Sequence, residues 1–346
     1  MMRHFCTYFD RHYLPRGLTL YASLEEHCPE FKLWILCMDE ASHAALTRLA
    51  LPHIGLIRRS DFEHGDDGLA QARQNRSLIE YYFTCTPSLP LYILRQVPKV
   101  DCITYLDADL YFFASPEPIF AEMGDGSVAI TGHRFPPALS GHEQYGRYNV
   151  GWLTFRRDAN GLACLQWWRE RCNEWCYDRC EGDRFADQKY LDQWPQRFAK
   201  VVVLQHKGAN LAPWNVGNYS VRLAEGRVWI DRVPLIFFHF HGLKPLAFYA
   251  YNPSLTEYHI TAPKVLRRHI YAPYLKAWHK TIADLPALPT ASPIGRLLRG
   301  HEHPAEMSVT LNCHRRFKRW WDKQRAIWRG IVAGHVFLVL KGRVVF

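Results

Sequence analysis

The chain lacks any apolar run long enough to cross a lipid bilayer, for which a helix needs about 20 residues. Its longest such run, from Ile331 to Leu340, is only about half that length and contains His335. The first residues, MMRHFC, also lack the apolar core of a secretion signal. We therefore expect a cytoplasmic protein whose 10 cysteines are thiols rather than disulfides.

Acidic residues are scarce at one end of the chain. Between residues 315 and 346 nine Lys or Arg side chains accompany a single acid, Asp322, so this segment carries +8 of the formal net charge of +10. The rest of the chain is close to neutral. A nucleic-acid partner is therefore not expected, because backbone binding needs a basic groove.

Aromatic residues, by contrast, are abundant, at 14% of the chain. With 346 residues, the chain is long enough to form one large hydrophobic core or to divide into two domains. Apolar strand-like runs alternate with segments of helical spacing from the start of the chain, which predicts an α/β fold on a parallel sheet. The predicted strands are His4–Phe9, Lys32–Met38, His53–Ile57, Ile103–Leu106, Asn149–Phe155, Lys200–Leu204 and Leu235–His241. The first predicted helix ends at Cys28. Further helices are predicted over Glu40–Leu51, Asn75–Cys85 and Leu162–Cys180.

Two spaced carboxylates, Asp107 and Asp109, directly follow one of these strands in the segment ITYLDADL. In an open α/β sheet, ligands bind just beyond the carboxyl ends of the strands. Two carboxylates there can hold a hard divalent cation and leave room for phosphate oxygens. The alternative is a solvated turn.

Three cysteines, Cys172, Cys176 and Cys180, recur at helical spacing, which predicts one helix face. A metal site is one interpretation of this spacing. A structural role is favoured, since zinc sites combine four ligands with tighter Cys pairs.

Four short segments occur in a defined order: YLDAD at 105–109, YNVG at 148–151, Asp187-Gln188, and HFHGLKP at 239–245. This set, spread over residues 4–250, resembles the GT-A nucleotide-sugar glycosyltransferases, most closely glycosyltransferase family 8, in a divergent bacterial branch. The resemblance implies a Rossmann-like mixed sheet flanked by helices over residues 1–282. The last segment is one residue shorter than the family pattern, and Pro90 stands where the family usually has an arginine, so Arg76 becomes the candidate for that role.

The resemblance also implies a set of site residues. Asp107, Asp109 and His239, with His241 as the alternate, would hold the metal, and an imidazole ligand favours Mn²⁺ over Mg²⁺. Asp187 and Gln188 would act catalytically beside the donor sugar, although Asp187 also fits a helix N-cap. The residues implied in donor binding are Thr7, Tyr8, Asp10, Arg76, Asp107, Asn149, Gly242 and Lys244. The polar-aromatic loop 207–215 would line the sugar or acceptor pocket.

The C-terminal segment, residues 283–346, combines a Pro-rich linker with a basic tail. Phe317, Trp320, Trp321, Ile327, Trp328 and Ile331 recur at helical spacing among Lys and Arg. This pattern predicts an amphipathic helix on an anionic membrane surface, here the cytoplasmic face of the inner membrane. The alternative is a helix packed on the protein itself.

Together these features predict a metal-dependent hexosyltransferase that moves a hexose from a UDP-sugar to a glycan or lipid-linked acceptor. The resemblance implies retention of configuration and a role in cell-surface polysaccharide or lipopolysaccharide synthesis. The alternatives are a sugar-nucleotide pyrophosphorylase and a non-catalytic, membrane-tethered sugar-nucleotide-binding module. A pyrophosphorylase usually carries a glycine-rich loop after its first strand, and Thr7-Tyr8-Phe9-Asp10-Arg11-His12 contains no glycine.

Overall fold

A computed structural model describes residues 2–247, 249–285, 325, 327–331, 335–340 and 343–345. The chain separates into two compact units, residues 1–239 and 240–346. The predicted boundary after residue 282 stays a prediction, because most of the residues beyond it lie outside the described ones.

The first unit is built on a seven-stranded sheet in the order β3-β2-β1-β4-β7-β6-β8. All of these strands are parallel except β7, which runs antiparallel to both of its neighbours. The predicted mixed α/β sheet is thus confirmed. The strands are β1 Arg3–Phe9, β2 Phe31–Cys37, β3 Ile54–Arg58, β4 Cys102–Leu106, β5 Leu110–Phe112 outside this sheet, β6 Val128–Gly132, β7 Tyr148–Arg156 and β8 Val201–Leu204.

Helices flank this sheet and begin at side-chain caps where the sequence supplies them. Asp39, Asp66 and Asp158 each accept a backbone N–H of the first turn, and Ser77 with Glu80 forms a capping box. The helices are α1 Leu14–His27, α2 Glu40–Leu49, α3 Arg59–Glu63, α4 Asp67–Asn75, α5 Leu78–Gln96, α6 Glu117–Met123, α7 Ala159–Glu174 and α8 Trp194–Arg197. Short 3₁₀ turns cover Pro137–Tyr145, Lys189–Gln193 and Val216–Asn218.

Two helix ends differ from the prediction by more than three residues. Helix α5 continues through Pro87 and Pro90 to Gln96, because its capped start and its buried side face keep it helical although each proline removes a hydrogen bond. Helix α7 ends at Glu174, where Trp175 becomes extended. Only the first of the three cysteines therefore lies on this helix, Cys180 is exposed, and the predicted shared face is wrong.

The rest of the first unit contains shorter antiparallel strands that the sequence analysis largely missed. Strands β9 Val221–Ala224, β10 Arg227–Ile230 and β11 Val233–Pro234 form one small sheet. Strand β12, Phe237–His239, pairs with β5. This last pairing decides the composition of the site described below.

The second unit is a four-stranded sheet packed with helices. Its strands are β13 Lys244–Ala247, β14 Ala250–Asn252, β15 Phe337–Leu340 and β16 Arg343–Val345. Its helices are α9 Lys264–Leu266 and α10 Ala272–Asp284, with a 3₁₀ turn at Leu255–Tyr258 and a short π-helix at Arg267–Tyr271. Strand β15 pairs with β14, so the end of the chain forms part of this unit's sheet.

Part of the predicted tail helix is described. Residues 325 and 327–331 are helical, whereas the stripe from Phe317 to Gln324 lies outside the described residues. Ile327 is 3% exposed and packs with Ala250 and Val336, while Trp328 is 63% exposed. Within the described part of the chain, we find no helix of sufficient length and hydropathy to cross a membrane.

Candidate metal and donor site

Asp107 and Asp109 lie in a tight turn just past the carboxyl end of β4, near the middle of the sheet. The Asp107 amide donates to the carbonyl of Gly151 on β7 at 3.1 Å, and the Leu110 amide donates back to the Asp107 carbonyl at 3.2 Å. The apolar strand is thus anchored at its last residues, and the turn places both carboxylates at the sheet edge where ligands bind in this class of fold.

His239 reaches these carboxylates through the pairing of β12 with β5, which sets His239 opposite Leu110. Its Nε2 lies 3.1 Å from Asp109 Oδ1 and 3.6 Å from Asp107 Oδ2. The ligand atoms of the three side chains all lie within 4.8 Å of one another. The structure thereby brings together three of the predicted ligands, and the alternate, His241, falls in the second unit.

Burial and charge act on this cluster in opposite directions. Burial raises the pKa of Asp107 to about 6, with Asp109 adding to the shift, while His239 and a 2.9 Å hydrogen bond from the Tyr105 hydroxyl oppose it. Burial alone would lower the pKa of His239, but Asp109 and Asp107 raise it overall. The cluster therefore concentrates negative charge around one half-enclosed point, which favours a cation.

The donor set fits a divalent metal ion. Two carboxylates supply hard oxygen ligands, and the imidazole supplies a nitrogen of the kind that transition metals such as Mn²⁺ accept more readily than Mg²⁺ does. Side-chain exposures of 30% for Asp107 and 15% for Asp109, against 3% for His239, leave the cluster open on its carboxylate side.

Asp187 lies close enough to this cluster to interact with Asp107 electrostatically. Burial, with a contribution from Asp107, raises the pKa of Asp187 to about 7, although a hydrogen bond with Thr86 on α5 acts against the shift. The following 3₁₀ turn has Gln188 at its N-cap position without a side-chain cap, so the N-cap interpretation of Asp187 is not supported. Gln188 donates its Nε2 to the carbonyl of Tyr145 at 3.0 Å.

The end of β1 contributes an aromatic and hydroxyl-rich surface beside the carboxylates. The Tyr8 ring lies 5.8 Å from Tyr105 and 6.0 Å from Tyr82. Asp10 accepts the amides of His12 and Tyr13 and, at 3.3 Å, the Tyr82 hydroxyl. Thr7, the remaining β1 candidate, is fully buried.

Arg76 makes hydrogen bonds with other residues of the protein. Its guanidinium donates to the Cys172 and Asn173 carbonyls at the end of α7, at 2.6 Å each, and to Thr84. Its predicted contact with the donor sugar stays a prediction, as does the diphosphate role of Gly242 and Lys244 in the second unit. There Gly242 has a positive φ of 73°, and Lys244 lies 3.6 Å from Glu257.

The loop 207–215 is largely buried, and its predicted place in the sugar or acceptor pocket stays a prediction. Trp214 is 3% exposed, and its Nε1 donates to the His133 carbonyl at 2.9 Å, as does Asn215 Nδ2 at 2.8 Å. The Trp214 ring meets His239 edge-on at 5.1 Å. This loop thus packs against His239. The sequence analysis missed His133, whose carbonyl accepts hydrogen bonds from the loop, because no local pattern singles it out.

The fold is that of the GT-A glycosyltransferases. The structure is similar to that of the galactosyltransferase LgtC in complex with donor and acceptor sugar analogs, with a TM-score of 0.52 and 17% identity, over 85% of this chain and 99% of that chain. At this identity the likeness shows the fold, and the predicted GT-A architecture is confirmed.

Sequence comparison places the chain more narrowly. It is 32% identical to the uncharacterized protein YfnD of Bacillus subtilis over 281 residues, which is 80% of this chain and 89% of YfnD. It is 33% identical to YfnF of the same organism over 252 residues, 70% of this chain and 82% of YfnF. No family model matches. The chain belongs to the family of YfnD and YfnF.

Proposed function

We propose that this protein is a metal-dependent hexosyltransferase that takes a hexose from a UDP-sugar. The observation that carries the proposal is the cluster of Asp107, Asp109 and His239 at the carboxyl end of the sheet in a GT-A fold. Carboxylates kept this close together and partly buried repel one another, which costs stability unless a cation joins them.

A divalent ion held by these three side chains would act as a Lewis acid on the diphosphate leaving group. Asp109 Oδ1 and His239 Nε2 lie 3.1 Å apart, close enough for both to bind the same ion. Asp107 is held in place by the Tyr105 hydroxyl and turns its other oxygen toward His239. Tyr8 and Asp10 lie on the adjacent strand end, where the uracil and ribose would bind.

Asp187 and Gln188 serve the donor sugar in this proposal. Sugar transfer passes through a state with positive charge at the anomeric carbon, and a nearby carboxylate or amide oxygen stabilises it. The support for this role is that Asp187 is 5% exposed and near enough to Asp107 for the two carboxyls to interact electrostatically. Front-side attack with retention follows from the family resemblance.

Calorimetric titration with uridine diphosphate, with and without Mn²⁺, tests the proposal. The unaltered protein should bind the nucleotide with Mn²⁺ and far more weakly in chelator. Asp109→Asn should lose the Mn²⁺-dependent part, because it replaces a charged ligand by a neutral amide of the same size. Asp125→Asn is the matched control, since the Asp125 side chain is 94% exposed and pairs with Lys200 at the surface.

Transfer from a labelled UDP-hexose completes the test. Equal nucleotide binding with and without Mn²⁺, together with full transfer by Asp109→Asn in excess chelator, would contradict the metal role. Mn²⁺-dependent nucleotide binding without transfer to any glycan or lipid-linked acceptor would favour the non-catalytic binding module.

We further propose that the enzyme meets its acceptor on the cytoplasmic face of the inner membrane, in cell-surface polysaccharide or lipopolysaccharide synthesis. The supporting observation is Trp328, which is 63% exposed between the exposed Arg325 and Arg329 while Ile327 packs inward. A Trp beside two cations suits a lipid surface that is apolar below and anionic above.

Flotation with anionic vesicles tests this localisation. The full chain should float at low salt, more weakly at high salt, and less after Trp328→Ala. Leu223→Ala removes a similarly exposed apolar side chain, 45% exposed in the first unit, and should change nothing. Failure of the unaltered protein to float would remove the membrane from the proposal without affecting the chemistry.

A further inference from the structure

Behind His239, buried side chains hold the imidazole on the side that faces away from the carboxylates. Asn149, on β7 and 6% exposed, lies with its Oδ1 3.3 Å from His239 Nδ1. The other ring nitrogen, Nε2, faces Asp109 and Asp107. The two nitrogens of His239 thus have different kinds of partner.

The backbone N–H of Gly151 determines the orientation of the Asn149 amide. The backbone N–H of Gly151 donates to Asn149 Oδ1 at 3.0 Å. A backbone N–H can only donate, so the accepting atom is the amide oxygen and not the amide nitrogen. That oxygen cannot donate to His239, and therefore His239 Nδ1 carries the proton of their hydrogen bond.

The other end of the amide agrees with this assignment. Asn149 Nδ2 lies 3.2 Å from His133 Nε2, which then accepts. His133 is fixed in turn, since its ring stacks on Phe135 at 4.7 Å and meets Trp214 edge-on at 5.2 Å. Both polar ends of the amide therefore have a partner of matching type, which locks it against rotation.

Gly151 is needed for the same arrangement. A Cβ atom at this position would lie 2.9 Å from His239 Cε1 and Nδ1 and 2.7 Å from Asn149 Oδ1, which is closer than real side chains come. Any other residue would have to displace the imidazole or the Asn149 amide from the arrangement described here. Glycine here permits close approach rather than an unusual backbone angle.

We infer that Asn149 and Gly151, both in the YNVG segment, are positioning residues. They hold His239 in the orientation that puts the Nδ1 proton on Asn149 and turns Nε2 toward the metal site. The inference rests on the proposed metal site. It gives Asn149 a role that operates before any donor sugar binds, in addition to the predicted contact with that sugar. Such partners orient metal-binding histidines in many proteins.

Calorimetric titration with Mn²⁺ alone, without nucleotide, separates these roles. Asn149→Ala should bind Mn²⁺ about 10–100-fold more weakly, the usual effect of removing such a partner. Asn149→Asp keeps an oxygen acceptor for His239 Nδ1 and for the Gly151 amide but loses the donor to His133, so it should keep clearly more Mn²⁺ affinity than Asn149→Ala. Asn75→Ala, at an exposed asparagine at the end of α4, is the control.

Nitrogen-15 spectra of histidine-labelled, unaltered protein provide a second readout that needs no destabilising variant. The His239 signals, identified by their loss in His239→Gln, should show a proton on Nδ1. Adding Mg²⁺ should then shift mainly Nε2. A metal-induced shift at Nδ1, or a neutral ring protonated only at Nε2, would overturn the inference.

The outcomes distinguish this inference from the proposed function. If Asn149→Ala keeps its Mn²⁺ affinity and loses only turnover, the asparagine acts on the donor alone and the inference is wrong. If the unaltered protein binds no Mn²⁺, the proposed metal site fails, and the nitrogen-15 spectra still decide which ring nitrogen carries the proton.

Discussion

The buried Asp187 carboxyl should lower the free energy of unfolding at neutral pH, although the proposed transfer reaction depends on it. The pKa of this buried carboxyl is raised from 3.8 to about 7 by burial, with Asp107 adding to the shift. Between about pH 4 and pH 7 the folded chain therefore keeps a proton that the unfolded chain has already lost. The stability that this proton supplies is complete at low pH and is lost as the pH rises through about 7.

The size of the effect follows from the pKa difference. At about 1.4 kcal/mol for each pH unit, a difference of about 3 corresponds to about 4 kcal/mol. Water entering the half-open site would reduce this value, so about 2–4 kcal/mol is expected. Asp187→Asn cannot ionise. It should match the unaltered protein near pH 4 and exceed its stability by that amount at pH 8.

Urea unfolding in chelator, followed by Trp fluorescence between pH 4.5 and 8.5, measures the difference. Trp168 is a suitable reporter, because its Nε1 donates to the Asp187 carbonyl at 2.8 Å. Asp183→Asn, on an exposed residue of the same segment, should run parallel to the unaltered protein at every pH. The stabilised Asp187→Asn protein should also lose at least about 10²-fold in transfer rate.

A stability difference that does not change with pH would refute this reasoning, since it would mean that Asp187 ionises equally easily in the folded and unfolded chain. If Asp187→Asn showed the expected pH-dependent stability together with full activity, the claim about burial would be separated from the claim about catalysis. That result would leave the burial correct and remove Asp187 from catalysis.

Three further predictions concern other parts of the chain. Gln188→Ala should lower turnover by about 10²-fold with little change in uridine diphosphate affinity, as measured by steady-state kinetics and calorimetry; a large loss of affinity instead would place Gln188 at the diphosphate. Arg134→Met removes hydrogen bonds to the carbonyls of His206, Ala209 and Asn210. It should cost about 1–3 kcal/mol and speed amide exchange in residues 206–215; unchanged exchange would contradict the anchoring role. Phe337→Ala, at a side chain 1% exposed and 5.1 Å from the Tyr271 ring, should cost about 3–5 kcal/mol in thermal unfolding, whereas Trp328→Ala should cost little; equal costs would contradict the packing described for this segment.

The sequence alone predicted those features that depend on neighbouring residues. The first strands and helices alternate as predicted, because runs of β-branched and aromatic side chains and helical spacing are local signals. Asp107 and Asp109 were placed at a strand end for the same reason, since the apolar run stops at Leu106. The GT-A architecture followed from motifs in order along the chain.

Helix ends were less predictable where burial outweighs propensity. Helix α5 passes through Pro87 and Pro90, both buried, because packing along its length compensates for two missing hydrogen bonds. Helix α7 ends before Cys176 because Trp175 turns away. Neither outcome is visible in a window of neighbouring residues.

The family resemblance named His239 and left His241 as the alternate, and only the tertiary structure shows which of the two meets the carboxylates. His239 and His241 have the same parity on a strand, so alternation alone permits either. The pairing of β12 with β5 selects His239, and Asn149, 90 residues earlier, fixes which of its nitrogens faces the carboxylates. Local sequence determined where the carboxylates lie, since a strand end is a local event. Only the fold decided what meets them, because contacts between distant segments depend on how the whole sheet is assembled.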